Sequence, residues 1–267
     1  MTVTREQIVE CIRAATEPLP YVLAYVLGGS EAFGREDEYS DVDAMLTAES
    51  EHVEETFNII EQALEQLSPI SRRAIVPEPA WHGHSQRFYN LRDASEYHQV
   101  DLFIMHHGRE PFFNEIEHHG HPVVVFDKAG IVRPVHMDTG ELREKLSKRW
   151  PQVRERIEMF GYMVQKEILR GNPLAALHFY QGLVLGPLVE ALRIRHSPYR
   201  HDWGIRYAHY DLPAADSARL ERLYFVNDLD DLAAKHEQAR AWFDKLAAAI
   251  DTDKLRLTPA QDADERT

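Results

Sequence analysis

Tyr21–Leu46, YVLAYVLGGSEAFGREDEYSDVDAML, is an apolar run that breaks on two glycines and resumes as an alternation of acidic and apolar residues. The aromatic and β-branched residues from Tyr21 to Leu27 predict a buried strand. Gly28-Gly29-Ser30 ends it. From Ser40-Asp41-Val42-Asp43 the alternation predicts a second strand, with Val42, Ala44 and Leu46 on its inner face. Side chains at i and i+2 share a strand face, so Asp41 and Asp43 point the same way. Two such carboxylates repel, which raises the pKa of one unless a cation lies between them. Hard oxygen ligands of this kind suit Mg²⁺, which is held by one or two carboxylates together with substrate phosphates. The glycines add a complementary part: they let backbone N–H groups approach a phosphate, and Ser30 adds a hydroxyl donor. A short helix opening at Glu31 would strengthen the attraction for an anion. Cradle and cation pair together describe a nucleoside triphosphate site, whereas either alone is more often a turn or a solvated strand face.

Gly29-Ser30-Glu31-Ala32-Phe33-Gly34 followed by Ser40-Asp41-Val42-Asp43 resembles the signature of the DNA polymerase β-like nucleotidyltransferase superfamily. The resemblance is to its antibiotic (aminoglycoside) nucleotidyltransferases and their bacterial relatives, and it covers the first half of the chain. It implies an α+β fold, with an N-terminal palm-like mixed sheet with helices and then an all-α helical bundle. It also implies a third carboxylate on a later, apolar-flanked strand, which Val100-Asp101-Leu102-Phe103-Ile104-Met105 provides. Asp41, Asp43 and Asp101 would then be the catalytic residues and the ligands of two Mg²⁺ ions. Gly29, Ser30 and Ser40 would bind the nucleotide, ATP or another nucleoside triphosphate, with Lys166 as a phosphate-binding lysine from a later helix. AMP would pass to a hydroxyl of a small molecule, aminoglycoside-like in the relatives named, with release of pyrophosphate. The chain departs from the pattern at Glu31 and Phe33, where the family often carries basic residues. A transferase acting on protein or RNA and a silent nucleotide-binding regulator are the competing readings. Retention of three acidic positions argues against the second.

At 267 residues the chain can bury a sizeable core as one large domain or two smaller ones. An apolar content of 44% excludes a disordered chain. The net charge of −14 argues against a general nucleic-acid binder and agrees with a cationic acceptor. One cysteine, Cys11, excludes an internal disulfide and fits a reducing compartment. No basic-then-apolar leader opens the chain and no apolar run approaches membrane-spanning length, so a cytoplasmic protein without membrane contacts is expected. Oligomeric state is not legible.

Thr4-Arg5-Glu6-Gln7 reads as a capping box ahead of a helix that ends near Pro18 and Pro20. Val53, Phe57, Ile60, Leu64 and Leu67 make the stripe of a second helix, stopping before Pro69. Strand patterns fill Ser71–Met105, with Gln86–Leu91 and His98–Met105 as a hairpin. A short helix is expected over Pro111–His119, and a last strand over Pro122–Phe126. The expected domains are residues 1–137, catalytic, and 138–252, a helical acceptor-binding bundle, with a disordered tail at 253–267. In the bundle, Pro151 is expected to open a fresh helical segment, and Gly171-Asn172-Pro173 to stop the stripe. Leu174–Ile194 is expected as a helix bent near Gly182, Gly186 and Pro187. The Tyr199–Tyr207 loop, with Trp203 and Tyr207, either lines an acceptor cleft between the domains or seals the bundle. Glu158, Glu167, Glu190 and Asp202 are the expected partners for substrate ammonium groups. His82, His84, His106, His107, His118, His119 and His121 lack the spacing of a structural zinc site with cysteines and read as surface or loop residues.

Overall fold

Thr4 caps the first helix as its sequence requires: Gln7 N–H donates to Thr4 Oγ1, and Thr4 N–H donates to Gln7 Oε1. The computed structural model describes residues 2–109 and 114–257. The chain divides into two compact units, Met1–His136 and Met137–Thr267.

The first unit runs α1 (Arg5–Thr16), β1 (Val22–Leu27), β2 (Val42–Ala48), α2 (Val53–Leu67), β3 (Ile70–Ile75), β4 (Ser85–Leu91), β5 (Val100–His106), α3 (Ile116–His119) and β6 (Val123–Asp127). Six strands form one mixed sheet in the order β3-β4-β5-β2-β1-β6. The β2–β5 pairing is parallel and the others are antiparallel. Ile8 and Ile12 of α1 and Phe57, Ile60 and Leu64 of α2 bury one sheet face, packing on Val42, Ala44, Leu46, Val100, Leu102 and Ile104. The opposite face carries a smaller cluster of Val26, Met45 and Phe103. Of the helix expected over Pro111–His119, only Ile116–His119 is helical among the described residues, and residues 110–113 lie outside them.

The second unit is helical: α4 (Thr139–Phe160), α5 (Tyr162–Leu169), α6 (Pro173–Phe179), α7 (Gly186–His196), α8 (Ala208–Asp211), α9 (Ala214–Tyr224) and α10 (Leu229–Ala249). Pro151 does not open a segment. It sits inside α4, whose buried stripe Leu142, Leu146, Trp150, Val153 and Ile157 runs through it, so packing holds the helix across the missing N–H. The break falls instead at Gly161, where Arg240 of α10 donates to the Ile157 carbonyl at 2.7 Å. An added Cβ at Gly161 would lie 2.4 Å from Arg240 Nη1. The expected bend after Leu174 is a π-helical segment, Tyr180–Leu185, linking α6 to α7.

The stretch Pro173–His196 is, by length and composition, long and apolar enough to cross a membrane, contrary to the expectation that no run reaches that length. In this fold Tyr180, Val184, Leu188 and Leu192 from it lie in the core of the second unit. The tail is also corrected in part. Thr252–Lys254 forms a 3-10 turn, Arg143 donates to the carbonyls of Thr252, Asp253 and Leu255, and Leu255 and Leu257 pack on the core. Residues 258–267 lie outside the described residues.

Arg193, fully buried on α7, organises the segment after it. Its guanidinium donates to the carbonyls of Arg200, Gly204 and Arg206 and to Asp211 Oδ2, and Arg200 donates to Asp211 Oδ1. Breaking a buried pair from one side leaves an uncompensated charge, so Arg193→Ala should destabilise the protein by about 3–5 kcal/mol. Arg154→Ala, which breaks an exposed pair with Glu158, should cost under about 0.5 kcal/mol. Urea unfolding followed by circular dichroism measures both. Equal midpoints for the two variants would contradict the assignment.

Candidate active site

Strands β2 and β5 run parallel without a register shift, and Asp43 is the Cα partner of Asp101. Val42, Ala44 and Leu46 with Val100, Leu102 and Ile104 take the helix-covered face. Alternation therefore puts Asp43, Met45 and Thr47 on the other face, beside Asp101, Phe103 and Met105. Adjacent strands lie about 4.8 Å apart, so the two half-buried carboxylates are neighbours. Asp41 precedes β2 and is exposed.

Arg5 fixes the approach to this pair from α1. Its Nε donates to the Asp41 carbonyl at 2.8 Å, and its Nη1 meets Glu31 Oε1 at 2.9 Å. Glu31, the acidic residue where the family pattern is often basic, is thus neutralised by a nearly buried arginine. The Ser40 hydroxyl accepts from Asp37 N–H and donates to Asp37 Oδ1 in the turn that leads to Asp41.

The loop after β1 is joined to Asp43. Gly28 N–H donates to the Asp43 carbonyl at 3.0 Å. Gly29 adopts φ +56°, and a Cβ there would fall 1.6 Å from Asp43 Oδ2. Only glycine takes this conformation cheaply and leaves room for the carboxylate. The N–H groups of Gly29, Ser30 and Glu31 make no hydrogen bond among the described residues. The Ser30 hydroxyl is buried without a partner there. Buried polar groups in folded proteins are almost always satisfied. A strand end therefore presents three unengaged N–H donors and an orphaned hydroxyl beside a carboxylate pair.

Electrostatics mark the same place. Burial pushes the Asp101 carboxyl up to about 6, the Gln86 hydrogen bond opposes that shift, and the charge of Asp41 adds to it. Gln86 Nε2 donates to Asp101 Oδ1 at 2.7 Å. Sequence reasoning missed Gln86 and Arg5, because neither lies in a motif and each reaches the site only through sheet pairing or helix docking. A cluster of like-charged carboxylates fits a divalent cation as the missing positive charge.

Other residues singled out from the sequence lie elsewhere. Lys166 is exposed on α5, in a shallow groove with Tyr162, Leu169 and Arg170. Of the carboxylates expected to meet ammonium groups, Glu158 pairs with Arg154, Glu167 with Arg170 and Asn172, and Glu190 with Arg149 through both oxygens. Asp202 is exposed. Trp203 is flanked by Arg200 and Arg206 in the segment that Arg193 anchors. Histidines read as scattered loop residues include one cluster: donor atoms of Glu115, His118 and His119 lie within 4.8 Å of one another. Burial, with the His118 charge, pushes His119 down to about 3. Their i, i+3, i+4 spacing was the available signal.

No protein-family model matches the chain, and no curated protein matches it. Among solved structures, an aminoglycoside 6-adenyltransferase from Bacillus subtilis aligns over 92% of this chain and 90% of that one. The TM-score is 0.39 and the sequence identity 14%, a likeness too distant to carry an inference about activity.

The raised Asp101 pKa has a sign that can be tested. The folded protein holds the proton more tightly than the unfolded chain, so the stabilising contribution is full below the unfolded pKa and lost as pH rises through about 6. Asp101→Asn removes the ionisation and keeps an acceptor for Gln86. In EDTA, its advantage over the parent should be absent near about pH 4 and grow to a plateau of about 2–3 kcal/mol by about pH 8. Thermal melts across that range measure it, and a pH-independent difference would refute the proposed burial of a charged Asp101.

Proposed function

We propose that the chain is a metal-dependent nucleotidyltransferase that moves a nucleoside monophosphate, AMP when ATP is the donor, to a hydroxyl of a small molecule. The observation that carries this reading is the pairing of Asp43 with Asp101 on one sheet face, against a glycine loop whose donors are unengaged. The Gly29–Glu31 N–H groups and the Ser30 hydroxyl would take the triphosphate oxygens, as glycine-rich nests do. Asp41, Asp43 and Asp101 would hold two Mg²⁺. When bound, such ions neutralise charge on the leaving pyrophosphate and polarise the attacking oxygen. Asp101 would accept the hydroxyl proton, and Gln86, which donates to its Oδ1, would orient it. Arg5 would act by position, keeping Asp41 and Glu31 apart from the phosphates' path. Lys166 remains a proposed phosphate ligand with no contact of its own to support it. Cys11, free and half-buried, agrees with the proposed reducing, cytoplasmic setting.

Mg²⁺ with ATP should raise the melting temperature by mass action, corresponding to about 2.7 kcal/mol at a hundredfold excess over Kd. Asp43→Asn should lose most of that shift. Ser30→Ala should weaken ATP by about 5-fold, the worth of one hydrogen bond near 1 kcal/mol. Gly29→Val should abolish binding. ATP binding by all three variants at parental affinity would refute the site. Transfer of label from [α-³²P]ATP across panels of small hydroxyl compounds, proteins and RNA tests the acceptor class. Labelling confined to protein or RNA would replace the small-molecule reading.

A further inference from the structure

The face that carries Asp43 and Asp101 does not end there. Following the same alternation along β2 and β5 leads to Met45, Thr47 and Met105, which with Val26 floor a cavity of about 390 Å³. That volume lies in the range of small-molecule sites. At about 3.3 Å per residue, Met45 is about 7 Å and Thr47 about 13 Å along the strand from Asp43. The cavity thus begins one same-face residue beyond the aspartates.

Its roof, residues 131–135, is held at both ends. Asp127 at the end of β6 accepts from the N–H groups of Ile131 and Val132, each at 3.0 Å. Val135 forms an isolated bridge with Glu115, donating to the Asn114 carbonyl and accepting from Ile116 N–H. Val132 packs on the Val26, Met45 and Phe103 cluster. These bonds tie residues 131–135 to β6 and to residues 114–116.

The lining has a definite chemistry. It is mainly aliphatic, and its charged members are Arg109 and Arg133. Among the described residues that line it there is no aspartate or glutamate, in a protein whose net charge is −14. Arg109 donates to the Gly83 carbonyl and Arg133 to the Gly130 carbonyl, and neither is in an ion pair with a described carboxylate. His106, also in the lining, has Nδ1 buried without a partner. A polycationic aminosugar would meet no aspartate or glutamate among the described lining residues, and burying an unpaired ammonium in apolar surroundings is costly. An apolar ring system bearing one anionic group finds both its surfaces matched.

We propose that this cavity receives the acceptor, and that the acceptor is a hydroxyl-bearing molecule with an apolar one- or two-ring body and an anionic group. The anion would lie toward Arg109 and Arg133, and the hydroxyl would point along β2 to the aspartates. The acceptor oxygen forms its bond to the α-phosphorus as the bond to pyrophosphate breaks, and the hydroxyl proton passes to the Asp101 carboxylate. The acceptor role rests on the nucleotidyl-transfer reading above; the ligand class of the cavity rests on its own walls.

Binding of 2-naphthoate and of its cationic counterpart, 2-naphthylmethylammonium, to the full chain separates the two charge classes on one apolar body. The naphthoate should bind at one site at least about 10-fold tighter than the ammonium, the difference expected for one retained against one unpaired charge. Thr47→Trp, which fills the floor, should abolish that binding. Arg133→Glu, at an exposed position that leaves the fold intact, should weaken the naphthoate about 10-fold or more and favour the ammonium. Absence of saturable naphthoate binding, preference for the ammonium, or indifference to both variants would overturn the assignment. So would kanamycin-dependent pyrophosphate release from Mg–ATP that Arg133→Glu leaves unchanged. If naphthoate fails while Mg–ATP still stabilises the protein, the cavity assignment falls and the transferase reading stands. If naphthoate binds and Mg–ATP does not, the reverse holds.

Discussion

The parallel pairing of β2 with β5 is the constraint on which the rest of the first unit depends. Its register is set by burial, because Val42, Ala44, Leu46, Val100, Leu102 and Ile104 must all face α1 and α2. Slipping either strand by one residue would move every one of its side chains to the other face. It would then drive Asp43 or Asp101 into that hydrocarbon layer, where an isolated carboxylate is strongly disfavoured. Core packing and placement of the carboxylates are therefore one specification. Parallel neighbours need a crossover, and here α2, β3 and β4 make it. That route also brings Gln86 to within hydrogen-bond distance of Asp101.

Within this frame two acidic environments are treated in opposite ways. Glu31 lies in the loop next to Ser30 but has its charge matched by Arg5, whose side chain is nearly buried and also grips the Asp41 backbone. Asp101 receives a neutral amide donor, and the charge of Asp41 adds to the upward push of burial. A fold optimised for stability alone would replace such a carboxylate by an uncharged residue. A buried carboxylate whose proton affinity is raised, set in a cleft beside other acidic groups, is a candidate functional group.

How far the sequence was legible follows from range. The capping box, the two strands around the glycine loop and the α2 stripe depend on neighbours a few residues away and formed as read, whereas Asp41, read as sharing a strand face with Asp43, lies just before β2. Asp101 became legible through the family pattern, since nothing local ties residue 101 to residue 43. Pro151 misled because propensity was outweighed by a stripe of buried side chains on both sides of it. Gly161, unremarkable as a lone glycine, ends the helix because Arg240, far away in sequence, needs the space a Cβ would fill. Carboxylates that looked available for substrate, Glu167 and Glu190, proved engaged by Arg170 and Arg149. The roof at 131–135 was invisible for the same reason: its shape is set by Asp127 and by pairing with residues 114–116.

One sheet face therefore divides into two chemical halves along the strands. The N-terminal ends of β2 and β5 are acidic and border unengaged N–H donors; the C-terminal ends are aliphatic with arginines at the margin. Net charge, summed over the chain, conceals this division. The field of the whole protein acts at long range and is screened within about 8–10 Å at physiological salt. A bound group responds instead to the few residues it touches. Alternation on β2 makes both halves from one strand: Asp43 contributes to the first, Met45 and Thr47 to the second. Because a rigid strand fixes the spacing between them, in the proposed transferase the distance from the hydroxyl to the apolar body of an acceptor would be set by the backbone and not by side-chain rotamers. The sheet would then be the ruler by which such an enzyme selects acceptors, by length as well as by charge.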